Sequence, residues 1–569
     1  MSVFDTLPKT AQEFMIWKWV KIEPYYADLE ARSVDTGKVN QWLTDWTRLV
    51  ELIQESYTRL WIATTLDTTD TAGVERFHNY LHEVWEPFQP AEQRLKQKLL
   101  DSGLEPAGFE IPLRNLRSEA GLFREENVPL FTHEQELTNN YDKIIGAQTI
   151  QWEGKELTLP QLKPVYQDPD REVREDAWRQ AAERQLADRE ALNNLWTQYL
   201  GLRRKQAANA GYDDYRAFRW EQFKRFDYTP EDCLRFHDAI EQVVVPAAAR
   251  IYEKRREQLR IPSLRPWDLD ADPLGRSPLR PFQTVEELNA KTEVIFSKVD
   301  PELGGYFATM RKEHLLDLDN RKGKGPGGYQ STLAAVKRPF IFMNAVGIHD
   351  DVQTLLHEGG HAFHAFESAR LPYFQQLDYG PEIAEVASMS MELLGAPYLA
   401  ADKGGYYTPQ EAARARIEHL ESIIQFWPYM AVVDAFQHWV YTHPDDATEP
   451  ANCDAKWAEL WGRFMKGQDW SDLDDAMKTG WHRKLHIFQI PFYYVDYGLA
   501  QVGAVQVWRN SLGDLAGAVK QYRYGLSLGG TRKLPELYAA AGAKFAFDAG
   551  TMGELVGLLE GTIAELETV

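Results

Sequence analysis

His357 and His361 stand four residues apart in the segment H-E-G-G-H, and this spacing places a strong demand on the local fold. On an α-helix, residues four apart lie on one face, one turn above the other. Both imidazoles can then reach a single Zn²⁺, with Glu358 beside the metal. The alternative is two surface histidines on an ordinary helix, which the pentapeptide alone leaves open. We predict a helix with a metal-binding face.

The residues around this segment also follow helical spacing. The apolar positions that predict a buried stripe on another face are Val352, Leu355, Leu356, Gly359 and Phe363. Two adjacent glycines inside a helix cost about 1 kcal/mol each against alanine. Gly359 and Gly360 are therefore expected where another backbone or a substrate comes close to the helix.

A catalytic zinc ion takes three protein ligands and leaves one position for water, so a third ligand must come from elsewhere. Spacing offers His364, three residues after His361, or a carboxylate from the stretch that begins at Pro381. Glu385 and Glu392 lie seven residues apart there and share a helix face. We interpret Glu392 as a supporting or solvated acid. For Glu385, ligation and a structural role stay equally open on the residues alone.

The segments H-E-G-G-H-A-F-H and E-V-A-S-M-S-M-E together resemble the zinc site of the thimet oligopeptidase and oligoendopeptidase F family, and most closely its oligoendopeptidase F branch. The resemblance implies that His357, His361 and Glu385 hold one Zn²⁺ per chain. It also implies that Glu358 is the general base that accepts a proton from water. In that family the histidine at the position of His364 is not a ligand.

A second match lies upstream of the histidines. Residues 323–333 form a Gly/Pro-rich turn, and residues 338–344 form a short apolar strand. Pro339 removes a backbone donor, so we predict an edge strand or the start of one, and an exposed edge could pair with an extended peptide. The alternative is a buried hairpin without a ligand. The resemblance implies that this region lines the substrate cleft, and the predicted substrate-binding residues are Gly327, Gly328, Tyr329 and Phe340.

A third match lies downstream, in H-I-F-Q-I-P-F-Y-Y-V-D-Y-G over residues 486–498. An aromatic cluster of this kind is more often packing than a site. The resemblance implies instead that His486 and Tyr493 act in catalysis, with Tyr493 donating to the oxyanion, and that Tyr494 and Tyr497 bind substrate. The choice between Tyr493 and Tyr494 as the oxyanion donor is left open.

The rest of the chain predicts a mainly α protein. Residues 10–65, 73–102 and 170–209 show apolar residues at helical spacing among many charges. Strand signals are sparse, and one is a possible hairpin that pairs Thr149–Trp152 with Glu156–Leu159 across a glycine. The resemblance implies a large two-lobed, multi-helix metallopeptidase with a deep central cleft and a small β-sheet beside the zinc helix.

Two parts of this organisation are expected. Residues 1–180 form an N-terminal helical region that covers the cleft, and residues 181–569 form the catalytic region with the H-E-x-x-H helix. Residues 261–284 contain five prolines and predict a long ordered loop, which Trp267, Leu269 and Leu279 can anchor.

Charge and cysteine content exclude several classes of protein. A net charge of −22 argues against binding to nucleic acid and to anionic membranes. Two cysteines in 569 residues do not make a disulfide framework and indicate a reducing compartment. The most apolar stretch, Ile423 to Val440, contains polar residues and predicts a buried helix rather than a membrane span. The expected location is the cytoplasm, and the oligomeric state is left open.

These patterns predict a zinc endopeptidase that hydrolyses internal bonds of short peptides. The nearest alternative is a metallocarboxypeptidase on a similar helical scaffold, which would need a free substrate C-terminus. A zinc-stabilised helical binding protein without catalysis is an alternative from another class. A protease that acts on folded proteins is a third.

Overall fold

Helices form most of the chain, as the spacing of apolar residues predicts. The computed structural model describes residues 3–569 apart from residues 322 and 326 and the side chain of residue 132, so Pro326 of the predicted turn lies outside the described residues. The helices of the N-terminal part are α1 (Ala11–Phe14), α2 (Trp19–Ala31), α3 (Val39–Leu66), α4 (Thr71–Tyr80), α5 (Glu86–Asp101), α6 (Glu110–Leu122) and α7 (Val128–Gly146).

The remaining helices continue to the C-terminus. They are α8 (Arg171–Ala187), α9 (Arg189–Ala210), α10 (Tyr215–Gln222), α11 (Pro230–Ala239), α12 (Val245–Leu259), α13 (Val285–Val299), α14 (Pro301–Lys312), α15 (His349–Ser368), α16 (Pro381–Gly395), α17 (Pro409–Thr442), α18 (Pro444–Ala447), α19 (Pro450–Phe464), α20 (Asp474–Lys478), α21 (Leu485–Gln489), α22 (Tyr494–Gly513), α23 (Leu515–Ser527), α24 (Leu534–Ala540) and α25 (Ala549–Leu566). Several of them begin with proline at the first helical position, where a missing N–H has no cost.

The strands form two small sheets. The strands are β1 (Thr149–Trp152), β2 (Lys155–Thr158), β3 (Leu316–Asp319), β4 (Tyr329–Leu333) and β5 (Arg338–Ala345). The predicted hairpin is present as the antiparallel pair β1–β2. Its two-residue turn has positive φ at Glu153 and Gly154, as a tight hairpin turn requires.

The prediction that residues 338–344 form an edge strand is wrong. Strand β5 is the central strand of a three-stranded sheet with the order β3-β5-β4, parallel to β3 and antiparallel to β4. Pro339 is accommodated because it is the second residue of β5, close to where the strand begins. An extended peptide would therefore meet the outer strand β4 rather than β5.

Two hydrophobic cores account for most of the buried side chains. One is built from residues between Phe4 and Leu116, and the other mainly from residues between Leu137 and Leu566. The proline-rich loop is ordered as predicted, since Trp267 and Leu279 are buried in it. The boundary expected at residue 180 stays a prediction.

Helix α17 confirms the prediction of a buried helix between Ile423 and Val440. Among the described residues, no helix is both long and apolar enough to cross a membrane. Helix α15, which carries the two histidines, packs against α16, β5 and α23. It therefore lies between the small sheet and the large helical core.

Candidate metal centre

Helix α15 is anchored at its first turn by Asp351. One oxygen of this carboxylate accepts hydrogen bonds from the backbone N–H groups of Val346, Gly347 and Ile348, at 2.8–2.9 Å. The side chain thus joins the end of β5 to the start of the helix, and its negative charge lies at the positive end of the helix dipole. The apolar stripe predicted along the helix, from Val352 to Phe363, is buried.

The two adjacent glycines bring α15 against its neighbours. A Cβ atom on Gly360 would lie 2.4 Å from the carbonyl oxygen of Ala387 and 2.6 Å from the Cα of Ser388, both on α16. A Cβ atom on Gly359 would lie 2.4 Å from the ring of Phe296. The expected close approach of another backbone is therefore present at Gly360. It allows a side chain of α16 to reach the histidines of α15.

His357, His361 and Glu385 come together where α15 crosses α16. Nε2 of His357 lies 3.4 Å from Oε2 of Glu385, and Nε2 of His361 lies 3.6 Å from the same oxygen. Ligand atoms about 2.0–2.2 Å from a tetrahedral zinc ion lie roughly 3.3–3.6 Å from one another. The three side chains fit a zinc ion in both donor type and spacing.

Two further side chains on α16, one hydroxyl and one carboxylate, hold this donor set in place. Ser388 donates from its hydroxyl to Oε2 of Glu385 at 2.9 Å, one turn along the same helix. Glu392 meets Nδ1 of His357 at 2.7 Å with one carboxylate oxygen and Nε2 of His419 at 2.9 Å with the other. A carboxylate behind a histidine ligand fixes the orientation of its ring. Glu392 therefore supports the site rather than completing it, as the sequence indicates.

The carboxylate of Glu358 lies beside the donor set and is 7% exposed. Burial raises its pKa to about 7, although the charge of His357 and a hydrogen bond from the backbone N–H of Gln330 act in the opposite direction. Its Oε2 atom has no hydrogen-bond partner among the described residues. A carboxyl group with a pKa near neutrality can both accept and release a proton.

The two histidines have opposite tendencies to bind a proton. Burial lowers the pKa of His361 to about 4, so its ring is neutral and has a lone pair to offer. Burial acts in the same direction on His357, but hydrogen bonds to Glu385 and Glu392 raise its pKa well above the usual value. The same negative field that attracts a proton to His357 also attracts a divalent cation. The pKa of Glu385 is lowered, because its contacts with the histidines outweigh burial.

His364 lies outside this donor set. The potential metal-binding group where α15 crosses α16 consists, among the described residues, of His357, His361 and Glu385. The ring of His364 instead stacks on Tyr379, with ring centres 3.8 Å apart. Burial lowers the pKa of His364 to about 3, so the stacked ring is neutral.

The predicted aromatic segment begins in α21 and continues into α22. Burial is the largest cause of the raised pKa of both Tyr493 and Tyr497, and the charge of Glu385 is the next. The hydroxyl of Tyr494 has a different partner, because it accepts a hydrogen bond from Nζ of Lys484 at 2.8 Å. Tyr493 and Tyr497 are thus the tyrosines whose hydroxyls respond to the charge of the metal centre.

His486 belongs to the same aromatic group. Its ring centre lies 6.2 Å from that of Tyr493 and 6.0 Å from that of Tyr497. Burial, followed by the charge of Lys484, lowers its pKa to about 4. Its buried Nδ1 atom has no partner in the described part of the chain. The neutral ring is therefore available for a hydrogen bond to a ligand.

The predicted substrate-binding residues around β4 have different environments. The hydroxyl of Tyr329 lies 2.6 Å from the hydroxyl of Thr65 on α3, and its ring stacks on Phe342. Gly327 has a φ of +90°, and a Cβ atom on Gly328 would lie 3.2 Å from a methyl carbon of Thr354. These glycines bring the turn close to α15.

Phe340 is a special case among these residues. It lies on the central strand, opposite Ser331 of β4, and its side chain is 9% exposed. Little of its surface is open to a ligand in this conformation.

Comparison with known proteins identifies the family. Residues 165–555 match peptidase family M3. The chain belongs to peptidase family M3. This is a family of metallopeptidases, which agrees with the donor set on α15 and α16. Oligopeptidase PepF of Bacillus subtilis (strain 168) is 35% identical over 101 residues, which are 17% of this chain and 15% of that protein. The chain thus aligns with only a small part of that relative's length.

Solved structures confirm the predicted two-lobed fold of this M3 protein. PZ peptidase A, solved with an inhibitor, has a TM-score of 0.86 and 26% identity, and the match covers 100% of this chain and 99% of that one. An oligoendopeptidase F has the same TM-score and identity, with 98% and 99% covered. An oligoendopeptidase F from Bacillus anthracis strain Ames matches with a TM-score of 0.82, and 97% of each chain is covered. Because its sequence identity is 22%, this match supports the fold alone.

Two contributors to the M3 site were not assigned from the sequence. Ser388 lies three residues after Glu385, and helical spacing alone could have suggested that it holds this carboxylate. His419 lies on α17 and contacts Glu392 on α16. No local pattern connects these two residues, so only the packing of the helices reveals the contact.

Proposed function

We propose that this M3 chain is a zinc-dependent endopeptidase that hydrolyses internal bonds of short oligopeptides. The observation that carries the proposal is the meeting of His357, His361 and Glu385 at zinc-ligand spacing, with the carboxylate of Glu358 beside them. The membership of family M3 and the match to oligoendopeptidase F support the same activity. One zinc ion in this site is sufficient for the chemistry.

His357, His361 and Glu385 would hold the zinc ion, which when bound supplies Lewis-acid polarisation of water and of the scissile carbonyl. Glu358 takes the proton of the attacking water on its carboxylate and delivers it to the leaving amine. Its raised pKa, caused by burial, suits both transfers. The backbone N–H of Gln330 orients the carboxylate from β4.

Tyr493 donates from its hydroxyl to the oxygen that becomes negative as the carbonyl turns tetrahedral. His486 and Tyr497, which lie beside it, hold the substrate near that oxygen. The outer strand β4 pairs with the peptide backbone, which requires no particular side chains in the substrate. Backbone pairing of this kind favours a broad range of short peptides.

The decisive experiment replaces one atom of the general base. Glu358→Gln keeps the size of the side chain but cannot accept the proton, so kcat/KM for a quenched peptide should fall about 10²- to 10⁴-fold. Zinc content should be unchanged. Glu75→Gln, at an exposed glutamate on α4, is the matched control and should keep full activity. Near-normal turnover by Glu358→Gln would rule the mechanism out.

The C-terminus of the substrate distinguishes an endopeptidase from a metallocarboxypeptidase, which needs a free terminal carboxylate. We expect a peptide with an amidated C-terminus to be cut as fast as the free acid, because the proposed reaction does not use the terminal carboxylate. Loss of cleavage on amidation would favour the carboxypeptidase instead. A zinc-binding protein without catalysis would bind the metal and release no product from either peptide.

A further inference from the structure

A second group of metal-binding side chains lies in the large hydrophobic core. Ligand atoms of Cys233, Asp434 and His438 all lie within 4.8 Å of one another, and all three side chains are buried. Cys233 belongs to α11, and the other two belong to α17. His419, which contacts Glu392 at the first metal centre, lies on the same helix as Asp434. The two residues are 15 positions apart, or roughly 22 Å along the helix. The group is therefore separate from the metal centre described above.

Helical spacing creates this group in the same way as it creates the first one. Asp434 and His438 stand four residues apart on α17, so they share a face. Cys233 and His237 stand four apart on α11, which packs against α17. Two helices thus direct one thiol, one carboxylate and two imidazoles toward a common point. Two aromatic rings cover the group: Trp220 lies against His438, and Phe464 lies against His237.

The contacts within the group leave one ligand atom without a partner. Nε2 of His237 lies 2.9 Å from Oδ2 of Asp434 and holds this carboxylate, and Nε2 of His438 lies 3.3 Å from the same oxygen. Oδ1 of Asp434 is buried and has no hydrogen-bond partner among the described residues. Nδ1 of His438 points out of the group, 3.5 Å from Arg216. A buried polar atom is rarely left unpaired in a folded protein, so Oδ1 of Asp434 calls for a ligand.

We propose that Cys233, Asp434 and His438 bind a second divalent cation, a zinc ion, with His237 holding the carboxylate from behind. Sulfur, imidazole and carboxylate donors are the set that zinc takes in proteins. A histidine that fixes a carboxylate ligand is a usual outer partner of such a site. The chain would then carry two zinc ions rather than the one that family resemblance implies.

The charge of the buried site supports a divalent ion. On binding, the Cys233 thiol loses its proton to solvent and forms a sulfur–metal bond. The thiolate and the Asp434 carboxylate then neutralise the two positive charges of the ion, so no net charge remains in the core. Without the ion, Oδ2 of Asp434 is contacted by His237 and His438, and only Oδ1 of Asp434 has no partner among the described residues. The ion would also tie α11 to α17.

The sulfur ligand makes the two sites distinguishable by spectroscopy. Cobalt bound by a thiolate gives a charge-transfer absorption in the near ultraviolet, whereas cobalt held by His357, His361 and Glu385 has no sulfur ligand. We expect the purified wild-type chain to contain two zinc ions by elemental analysis and its cobalt-substituted form to show this band. One metal ion and no band in the wild-type chain would overturn the proposal, and this measurement needs no variant to fold.

Variants assign the band to its residue. Cys233→Ser should lose the band and one metal ion, whereas Cys453→Ser, at the other buried cysteine, should keep both. Glu385→Ala should lose the other ion and peptide hydrolysis but keep the band. A band that survives in Cys233→Ser would place the sulfur ligand elsewhere and overturn the assignment. Failure of the proposed hydrolysis would leave the metal count and the band unchanged, so the two proposals are tested separately.

Discussion

Two adjacent tyrosines near the candidate metal centre of this M3 protein have hydroxyl groups in different environments. Tyr493 and Tyr494 are adjacent in sequence, yet only Tyr493 has a hydroxyl whose pKa responds to the charge of Glu385. The hydroxyl of Tyr494 is occupied by Lys484. One residue therefore separates a hydroxyl near the charge of Glu385 from one that is bonded to Lys484.

This difference gives a prediction for a matched pair of variants. Tyr493→Phe should lower kcat for a quenched peptide about 100-fold, because one donor to the oxyanion is lost. Tyr494→Phe removes the same atom from the neighbouring residue and should leave kcat near the wild-type value. Steady-state kinetics on both variants decides the question, and an equal loss in the two would contradict the assignment of Tyr493.

Glu51 on α3 makes stability depend on pH. Burial raises the pKa of Glu51 to about 7. The charge of Lys337 lowers this pKa and the charge of Glu55 raises it, and both effects are smaller than that of burial. The folded chain then binds a proton that the unfolded chain releases near pH 4.3. The stability that this proton contributes is present below that pH and is lost as pH rises through 7.

We therefore expect Glu51→Gln to be more stable than the wild type at pH 8, by about 1–3 kcal/mol, and similar to it at pH 4.5. Urea unfolding at the two pH values measures the difference. The control is Glu75→Gln at an exposed position of α4. A stability gain that is the same at both pH values would show that the proton on Glu51 is not its cause.

At the scale of elements, the crossing of α15 and α16 positions the ligands. Gly360 lets the two backbones come close enough for Glu385 to meet both histidines. The sequence predicted a close approach at this glycine, and the structure identifies the partner as Ala387. The edge position predicted for residues 338–344 was wrong, because Pro339 indicates where a hydrogen bond is missing but not which strands lie on either side.

Gly360→Ala tests the crossing. The added Cβ would lie 2.4 Å from the carbonyl oxygen of Ala387, so the helices must separate, at a cost of about 1–3 kcal/mol. We expect weaker zinc binding and loss of peptide hydrolysis, measured by metal titration and by turnover. Gly557→Ala on α25, where nothing lies within 4 Å of the new Cβ, should keep both and is the control. Normal zinc affinity in Gly360→Ala would refute this role.

At the scale of the whole molecule, the reacting groups lie deep between packed elements. The side chains of His357 and His361 are 25% and 19% exposed, and Glu358 is 7% exposed. We therefore propose that a substrate enters this site as a narrow, extended segment. The surface of a folded protein offers no such segment to a recessed site.

We predict that the chain cuts a short quenched peptide readily and leaves a folded protein that contains the same peptide sequence intact. Unfolding that protein by reduction or denaturation before the assay should allow some cleavage. Mass spectrometry of the products measures cleavage of the short peptide, of the folded protein and of the unfolded protein. Rapid cleavage of the folded protein would contradict a recessed site and favour a protease of broader reach.

The sequence by itself determined the helical class, the metal-binding helix and the types of its ligands. These are local properties, because the spacing of apolar residues and of two histidines is read within a few helical turns. The third ligand, Glu385, was indicated by resemblance and not by spacing, since it lies on another helix. Only the tertiary structure decided that β5 is central, that His419 supports Glu392, and that Cys233 meets Asp434 and His438. Each of these contacts joins residues far apart in the chain, and it depends on how whole helices and strands pack.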